Sequence, residues 1–502
     1  MKISLYKNIT LILLTAFLVS FCVVQKSPVT GSKRAYAYSW EQEKKIGEQA
    51  DQQIQQQYGI YKGDVVEYVK NVAHKVLAVS HMRRENTPEK YKETEFHFRV
   101  LDSPITNAFA LPGGYVYVTR GLLAHLKNEA QLAVVLGHEI GHVAARHASQ
   151  SALERQLGQL ALIGGAIAGE ELLGVPGGAI LNLGSLATQY LFLSYSREDE
   201  RESDKLGVEY AAMQHYEAAD GAGFFRTLER MSNQSGQSIP TWASTHPDPG
   251  ERAERIPELA ENWAEKGYEQ TIEDTDQYMK EIEGMIYGMN PRQGFARDGH
   301  FFHPELEFQF QFPSDWRVIN QPSMVAVINE SQDAVSIMQI DAEAESPRAS
   351  VNAFVNQQGF TVQAQGNEEN QGLNAYEAIA TAQTQKGVPY KFYIYAVEYG
   401  DNIYRFTSYS LAEKFDQYAN EFMAISNSFA ELNDEDILDI QPVHLRTFKA
   451  DHTAPFSDFL PEGSFLPDNY PMKITAEEIA ILNQVKLDET IEEGTWIKVP
   501  AR

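Results

Sequence analysis

The sequence predicts a multidomain chain: a mainly α domain with a small β-sheet, then an α+β domain built on antiparallel sheet, then a small α+β module at the C-terminal end. Three observations predict it. The chain has 502 residues, more than one hydrophobic core ordinarily serves. From Trp40 to about Met289 apolar residues recur at helical spacing. Beyond a boundary at Asn290-Pro291 to Gly299 they alternate instead, as in Glu307-Phe308-Gln309-Phe310-Gln311-Phe312.

The first residues read as an export signal over 1–22. Lys2 and Lys7 give a basic start, and Ile9 to Val24 is almost wholly apolar before Gln25, Lys26 and Ser27. That run is shorter than the roughly 20 residues a membrane-spanning helix needs. Cys22 is the only cysteine, so the chain forms no internal disulfide. It follows Leu18-Val19-Ser20-Phe21, a stretch similar to a bacterial lipobox except that Phe21 stands where small residues dominate. The expectation is an exported, periplasmic protein, either soluble or tethered to the outer membrane through a lipidated Cys22.

Within 23–290, Ser39 before Trp40-Glu41-Gln42-Glu43 marks a helix N-cap with an acidic first turn, and Gly59 ends that pattern. Val65 to Val79 is a second helix. Phe96 to Leu101 and Tyr115 to Thr119 read as strands, the latter entered through the Pro112-Gly113-Gly114 turn. Glu129 to His147 and Glu198 to Ala212 read as long helices. Between them, 160–193 is apolar and glycine-rich, but Glu170, Glu171 and Pro176-Gly177-Gly178 interrupt it. We read it as an excursion between two helices rather than a membrane span. In 295–435, Val335 to Ile340 and Tyr390 to Val397 alternate, with helical patterns near Ser350–Gln358 and Lys414–Ser428. The third module occupies 440–502. The formal net charge is -27, with 42 Lys+Arg against 69 Asp+Glu, which argues against nucleic acid as a partner.

The chemistry concentrates in His138-Glu139-Ile140-Gly141-His142. On a helix, positions i and i+4 share a face, so both imidazoles reach one ion. Glu139 points aside, placed to act as general base on a water without being a ligand. The apolar flank Leu132 to Leu136 forms helix, and Gly137 and Gly141 permit close packing. A catalytic zinc takes a third protein ligand and one open position. Glu200 and Asp204, four apart in Ser196 to Asp204, share a helical face. One of them can bind metal while the other hydrogen-bonds a ligand imidazole.

Three stretches together carry a family resemblance: Asn107-Ala108-Phe109-Ala110-Leu111-Pro112-Gly113-Gly114, His138 to His142, and Ser196-Arg197-x-x-Glu200-x-x-x-Asp204-x-x-Gly207. Over about 40–290 the chain resembles the M48 family of zinc metallopeptidases, the Ste24/HtpX-like group, and its exported bacterial branch. The resemblance implies a zincin-type fold and one zinc ion per chain, with Glu200 as third ligand beside His138 and His142 and Asp204 supporting a ligand imidazole. Position 203 is usually Ala in that family and is Ser203 here. In relatives the segment after Asn107, Ala108 and Phe109 forms an edge strand by the cleft, on which an extended protein or peptide substrate pairs. Exported relatives also carry a Thr-His-Pro similar to Thr245-His246-Pro247. That places His246 either at the open zinc position in a resting state or beside the oxyanion; the plain alternative is a loop histidine. His147 reads as structural or as a support for a ligand, and His125 as a surface residue.

Ile479-Ala480-Ile481-Leu482-Asn483 and Gly494-Thr495-Trp496-Ile497-Lys498-Val499-Pro500 resemble the second half of a LysM-like module, with Arg446-Thr447-Phe448 as its first strand. Such modules commonly bind peptidoglycan. The 295–435 domain is similar to PsbP/Mog1-like α+β domains. The leading expectation is therefore an envelope zinc endopeptidase acting on misfolded or misassembled proteins. The alternatives are a chaperone-like assembly factor with gated proteolysis and a cell-wall-binding scaffold.

Overall fold

The computed structural model describes residues 22–163, 195–235, 246, 248–357, 359–384, 387–461, 465–467 and 470–501. Of the expected export signal, only Cys22 falls within these residues, half-buried at the start of a hairpin. Most of the apolar 160–193 stretch lies outside them.

The hairpin pairs β1 (Val23–Lys26) with β2 (Lys33–Tyr36). Helix α1 (Trp40–Tyr58) starts in a capping box in which Ser39 and Gln42 satisfy each other's backbone N–H groups, and it stops at Gly59, φ +69°. Helix α2 (Val65–Val79) buries Val65, Val69, Val72 and Val76, one stripe at helical spacing. The small sheet has the order β3 (His97–Leu101), β5 (Tyr115–Thr119), β4 (Ala108–Leu111), with β3 parallel and β4 antiparallel to the central strand. Both strands read from the sequence are present, and β4 forms the sheet's edge.

After the short α3 (Arg120–His125) comes α4 (Glu129–Ala145), capped by Asn128, whose side chain accepts from Gln131 N. Every residue of α4 is buried. The sequence expectation carried this helix to His147, but it ends two residues earlier because Arg146 takes the left-handed conformation, φ +64°. That strained backbone is held by its own side chain. The guanidinium is fully buried, bonds Glu43, Gln25 and the Tyr38 carbonyl, and lies 3.6 Å from the centre of the Tyr36 ring. Helix α5 (His147–Ile163) therefore leaves at a new angle. Helix α6 (Arg197–Met213) opens in a second capping box, between Ser196 and Asp199. Helix α8 (Pro249–Ala264) packs beside it, and α7 (Gly221–Ser235) packs against α8 and α4.

Helices α4 and α6 cross at glycines. A Cβ on Gly137 would stand 2.9 Å from Gly207 O, and one on Gly207 would stand 2.9 Å from His138 N. No larger residue fits at this crossing, and the two motif-bearing helices meet there.

A two-residue strand, β6 (Ile286–Tyr287), closes this region. The next region holds a seven-stranded antiparallel sheet of β7 (Arg317–Gln321), β8 (Met324–Ile328), β9 (Ala334–Ile340), β10 (Phe360–Asn370), β11 (Leu373–Gln383), β12 (Pro389–Tyr399) and β13 (Asn402–Leu411), in the order β7-β8-β9-β13-β12-β11-β10. Alternate residues face opposite ways. Val335, Ile337, Phe392 and Ile394 pack with Val351 and Val355 of α9 (Pro347–Val355). Met338, Tyr393 and Tyr395 pack with Phe422 and Ile425 of α10 (Phe415–Asn427) on the other face.

In the last region β14 (Val443–Lys449) pairs antiparallel with β15 (Trp496–Ala501) on one side and with β6 on the other. Leu445, and Leu482 of α11 (Ala476–Leu482), belong to the same apolar cluster as α4. Lys498 is buried, and its Nζ donates to the carbonyls of Ala124 and Leu126, each at 2.7 Å, at the C-terminal end of α3. Gln484 donates to His125 O and exchanges bonds with Gln131. His125, expected at the surface, is buried by this contact. Its Nδ1 lies 2.7 Å from Gly121 O, and burial pushes its pKa down to about 4. Among the described residues no helix is long and apolar enough to cross a membrane.

Candidate metal centre

The α4–α6 crossing brings His138, His142 and Glu200 together, and the loop before α8 adds His246. One ligand atom from each lies within 4.8 Å of the others, and all four residues are buried. His138 Nε2 stands 2.9 Å from His142 Nε2, 3.4 Å from His246 Nδ1 and 3.6 Å from Glu200 Oε2. Glu200 Oε1 is 3.5 Å from His142 Nε2 and 2.9 Å from His246 Nδ1. A tetrahedral zinc with bonds of about 2.0–2.1 Å requires ligand-to-ligand edges of roughly 3.3 Å. The observed edges bracket that value.

The protonation states also suit a cation. Burial pushes the pKa of His138 down, helped by the Arg252 charge. Burial likewise holds His142 well below its ordinary value. Both imidazoles are therefore neutral near pH 7, with lone pairs to offer. Burial alone would raise Glu200, but His246 and Arg252 outweigh it and hold the carboxyl well below the usual carboxylate range. Burial of Asp204 is outweighed in the same way by Arg252 and His138. Glu200 Oε2 is buried and accepts no hydrogen bond among the described residues, although Arg252 Nη1 is 2.9 Å away as an ion pair. Two neutral imidazoles and an anionic carboxylate converging in a buried cluster fit zinc.

Every residue singled out for this site is placed by the structure. Asp204 Oδ1 is 3.0 Å from His138 Nδ1, where it fixes that ring's tautomer. Glu139 is buried beside the cluster, with Oε1 3.7 Å from His246 Nε2. His246 is no exposed loop residue: it is 1% exposed and offers Nδ1 as a fourth ligand atom. Asn107, Ala108 and Phe109 lead into the edge strand β4. Phe109 turns away from the cluster and stacks on Tyr117 at 4.7 Å, so this segment can present its backbone rather than the Phe109 ring. A recess beside His142 is lined by Ala110, Leu111, Pro112, Val143, Ala148 and Tyr195.

Two participants escaped the sequence reading. Tyr195 stacks on the His142 ring at 4.1 Å and 25°. Arg252 is buried in the first turn of α8, where Nε lies 3.0 Å from Asp204 Oδ2 and Nη1 2.9 Å from Glu200 Oε2. Its signal was available. Arg252, Ile256 and Ala260 form one buried stripe of α8, and a charge on an apolar stripe needs a buried partner.

Comparison with known proteins agrees with this geometry. Residues 68–260 match the model of Peptidase family M48. The chain is 28% identical over 244 residues to the mitochondrial metalloendopeptidase OMA1 of Schizosaccharomyces pombe, covering 47% of this chain and 67% of that protein. It is 32% identical over 193 residues to a putative beta-barrel assembly-enhancing protease of Vibrio cholerae, covering 37% of each. It spans about a third of the length of several other curated relatives. Among solved structures, cyanobacterial PsbP from Synechocystis covers 26% of this chain and 91% of its own at 11% identity, with a TM-score of 0.23, too low to carry an argument. With three motifs, four converging ligand atoms and the family match over the same residues, this chain carries a zinc metallopeptidase domain of family M48.

Proposed function

We infer that this protein is a zinc-dependent endopeptidase of the bacterial cell envelope, hydrolysing peptide bonds in misfolded or misassembled envelope proteins. The observation that carries the reading is the convergence of His138, His142 and Glu200 beside the buried Glu139. When bound there, zinc supplies a Lewis acid that polarises a carbonyl and lowers the pKa of water towards about 7. Glu139 accepts the proton of the attacking water and returns it to the amide nitrogen as the C–N bond breaks, leaving a carboxylate and an amine. The β4 backbone at 108–111 pairs with the substrate as an added strand, so selection falls on extended, accessible segments. The envelope setting is supported by the export-like start, by the lipobox-like stretch before Cys22, and by the bacterial relative's name. The division into 23–290, 295–435 and 440–502, with a LysM-like last module touching peptidoglycan, belongs to the same reading.

The test is Glu139→Gln in the full chain, on an unfolded protein substrate. Turnover falls about 10²–10⁴-fold while zinc content by elemental analysis stays at one per chain. Unchanged turnover would remove the peptidase reading.

His246 favours a second reading, a resting state in which proteolysis is gated. Its Nδ1 stands where an open position would lie, in contact with Glu200 and His138. Under gating, His246→Ala raises turnover severalfold. A loss of turnover would instead place His246 in stabilising the oxyanion.

A further inference from the structure

His142 offers Nε2 to the cluster, and its other ring nitrogen is held as well. His142 Nδ1 lies 2.9 Å from Nδ1 of His147, the fully buried first residue of α5. Two imidazole nitrogens at that distance share one proton, so one donates and the other accepts. The far end of His147 decides which. Its Nε2 is 3.1 Å from Glu202 Oε2 and 3.4 Å from Asp199 Oδ1. Carboxylates only accept, so His147 carries its proton on Nε2 and presents a bare Nδ1. His142 must then be protonated on Nδ1, which leaves Nε2 as a lone pair aimed at the cluster. We propose that His147 and Glu202 are positioning residues for the metal, a two-step relay that fixes the tautomer and orientation of His142 as Asp204 fixes those of His138 in one step.

The helix register supports this. Asp199, Glu202 and Ser203 are three and four residues apart and share the α6 face that meets His147, while Glu200 and Asp204 share the face that meets the cluster. Ser203, buried, brings a hydroxyl 3.3 Å from His147 Nδ1, a second and longer contact on the accepting nitrogen. Arg146 in its left-handed conformation is what turns the chain so that His147 faces back towards His142. The relay's outer end reaches the surface. Arg34 on the hairpin strand β2 lies 3.7 Å from Glu202, on a carboxylate that is still partly exposed.

The proposal rests on the metal-centre reading, and its test reads metal affinity rather than hydrolysis. Zinc dissociation constants are measured by chelator competition on the full chain and on His147→Ala, His147→Gln, Glu202→Ala and the double variant His147→Ala/Glu202→Ala. Loss of such supports typically weakens metal binding 10–100-fold. His147→Ala should fall about 10–100-fold, and His147→Gln, which keeps an acceptor for His142, less. The double variant should match His147→Ala, because both residues act along one chain of bonds. Glu202→Ala is at a partly exposed position and carries the test if His147→Ala does not fold. Folded variants that hold zinc within about threefold of the unaltered chain would overturn the relay and leave the peptidase reading intact. A chain that binds zinc with the predicted ranking yet cleaves nothing would do the reverse.

Discussion

The α4–α6 pair and the inner strands of the seven-stranded sheet each lie in a buried core, but the groups they bury differ in kind. Around the helix crossing lie His138, Glu139, His142, His147, Glu200, Asp204, His246 and Arg252, almost all bonded or ion-paired to one another. The sheet buries Val335, Ile337, Phe392, Tyr395 and Phe406, with neutral hydroxyls such as Ser336 and Ser408 paired at 2.8 Å. Charge removed from water is costly unless every partner is present. A cluster of such charges therefore marks chemistry, whereas the sheet's burial is explained by packing alone.

Three changes would break or sharpen that contrast. The largest effect is expected at the crossing. Gly207→Ala sets a Cβ 2.9 Å from backbone atoms of α4, so the helices must part. We expect about 1–3 kcal/mol lost in chemical denaturation, together with most zinc affinity. If Gly207→Ala keeps full affinity, the ligand geometry does not depend on the helix approach. A middle-sized effect is expected at Lys498. Burial pushes its pKa down from 10.5 to about 7, and its two carbonyl acceptors match the two N–H bonds of a neutral amine. Between about pH 7 and 10.5 the unfolded chain binds a proton that the folded chain does not, so stability rises with pH across that window and is lost as pH falls through 7. Lys498→Met should abolish that part of the slope in denaturant titrations from pH 6.5 to 10. The smallest effect belongs to the sheet. Ser336→Ala leaves one hydroxyl without its partner and should cost about 1 kcal/mol with zinc affinity unchanged. A change in zinc affinity there would show that sheet and metal centre are coupled.

The two regions were also legible to different degrees. Strict alternation through Val335 to Ile340 and Tyr390 to Val397 exposed two of the sheet's strands, and Phe308 to Phe312 a strand of a separate four-stranded sheet, but alternation says nothing about what a domain does. The HExxH spacing and the Glu200/Asp204 pair exposed ligands 58 or more residues apart in the chain, because each half needs a shared helical face. Tyr195 and the His147–Glu202 bond were hidden, since their roles arise from contacts between separate segments, and Arg252 showed only as a charge on an apolar stripe, with its partners Glu200 and Asp204 on another helix. His125 was misread because the residues that cover it, Gln484 and Lys498, lie more than 350 positions away. The helix end at Ala145 was missed because a left-handed arginine carries no local signature; its reasons, Glu43, Gln25 and Tyr36, come from elsewhere.

The sheet formed by β6, β14 and β15 bears on how the C-terminal region is to be studied. Leu445 and Leu482 are completely buried in the apolar cluster that also contains Leu132 and Leu136 of the metal helix. Cutting the chain before residue 440 would expose that cluster to water, at about 2–3 kcal/mol for each large side chain lost. Scissors therefore confound anchoring with folding, and the two are separable only by altering outward-facing positions of the module. Whatever the terminal region grips, the scissile centre meets it on a fixed bearing, as a blade is set in its handle.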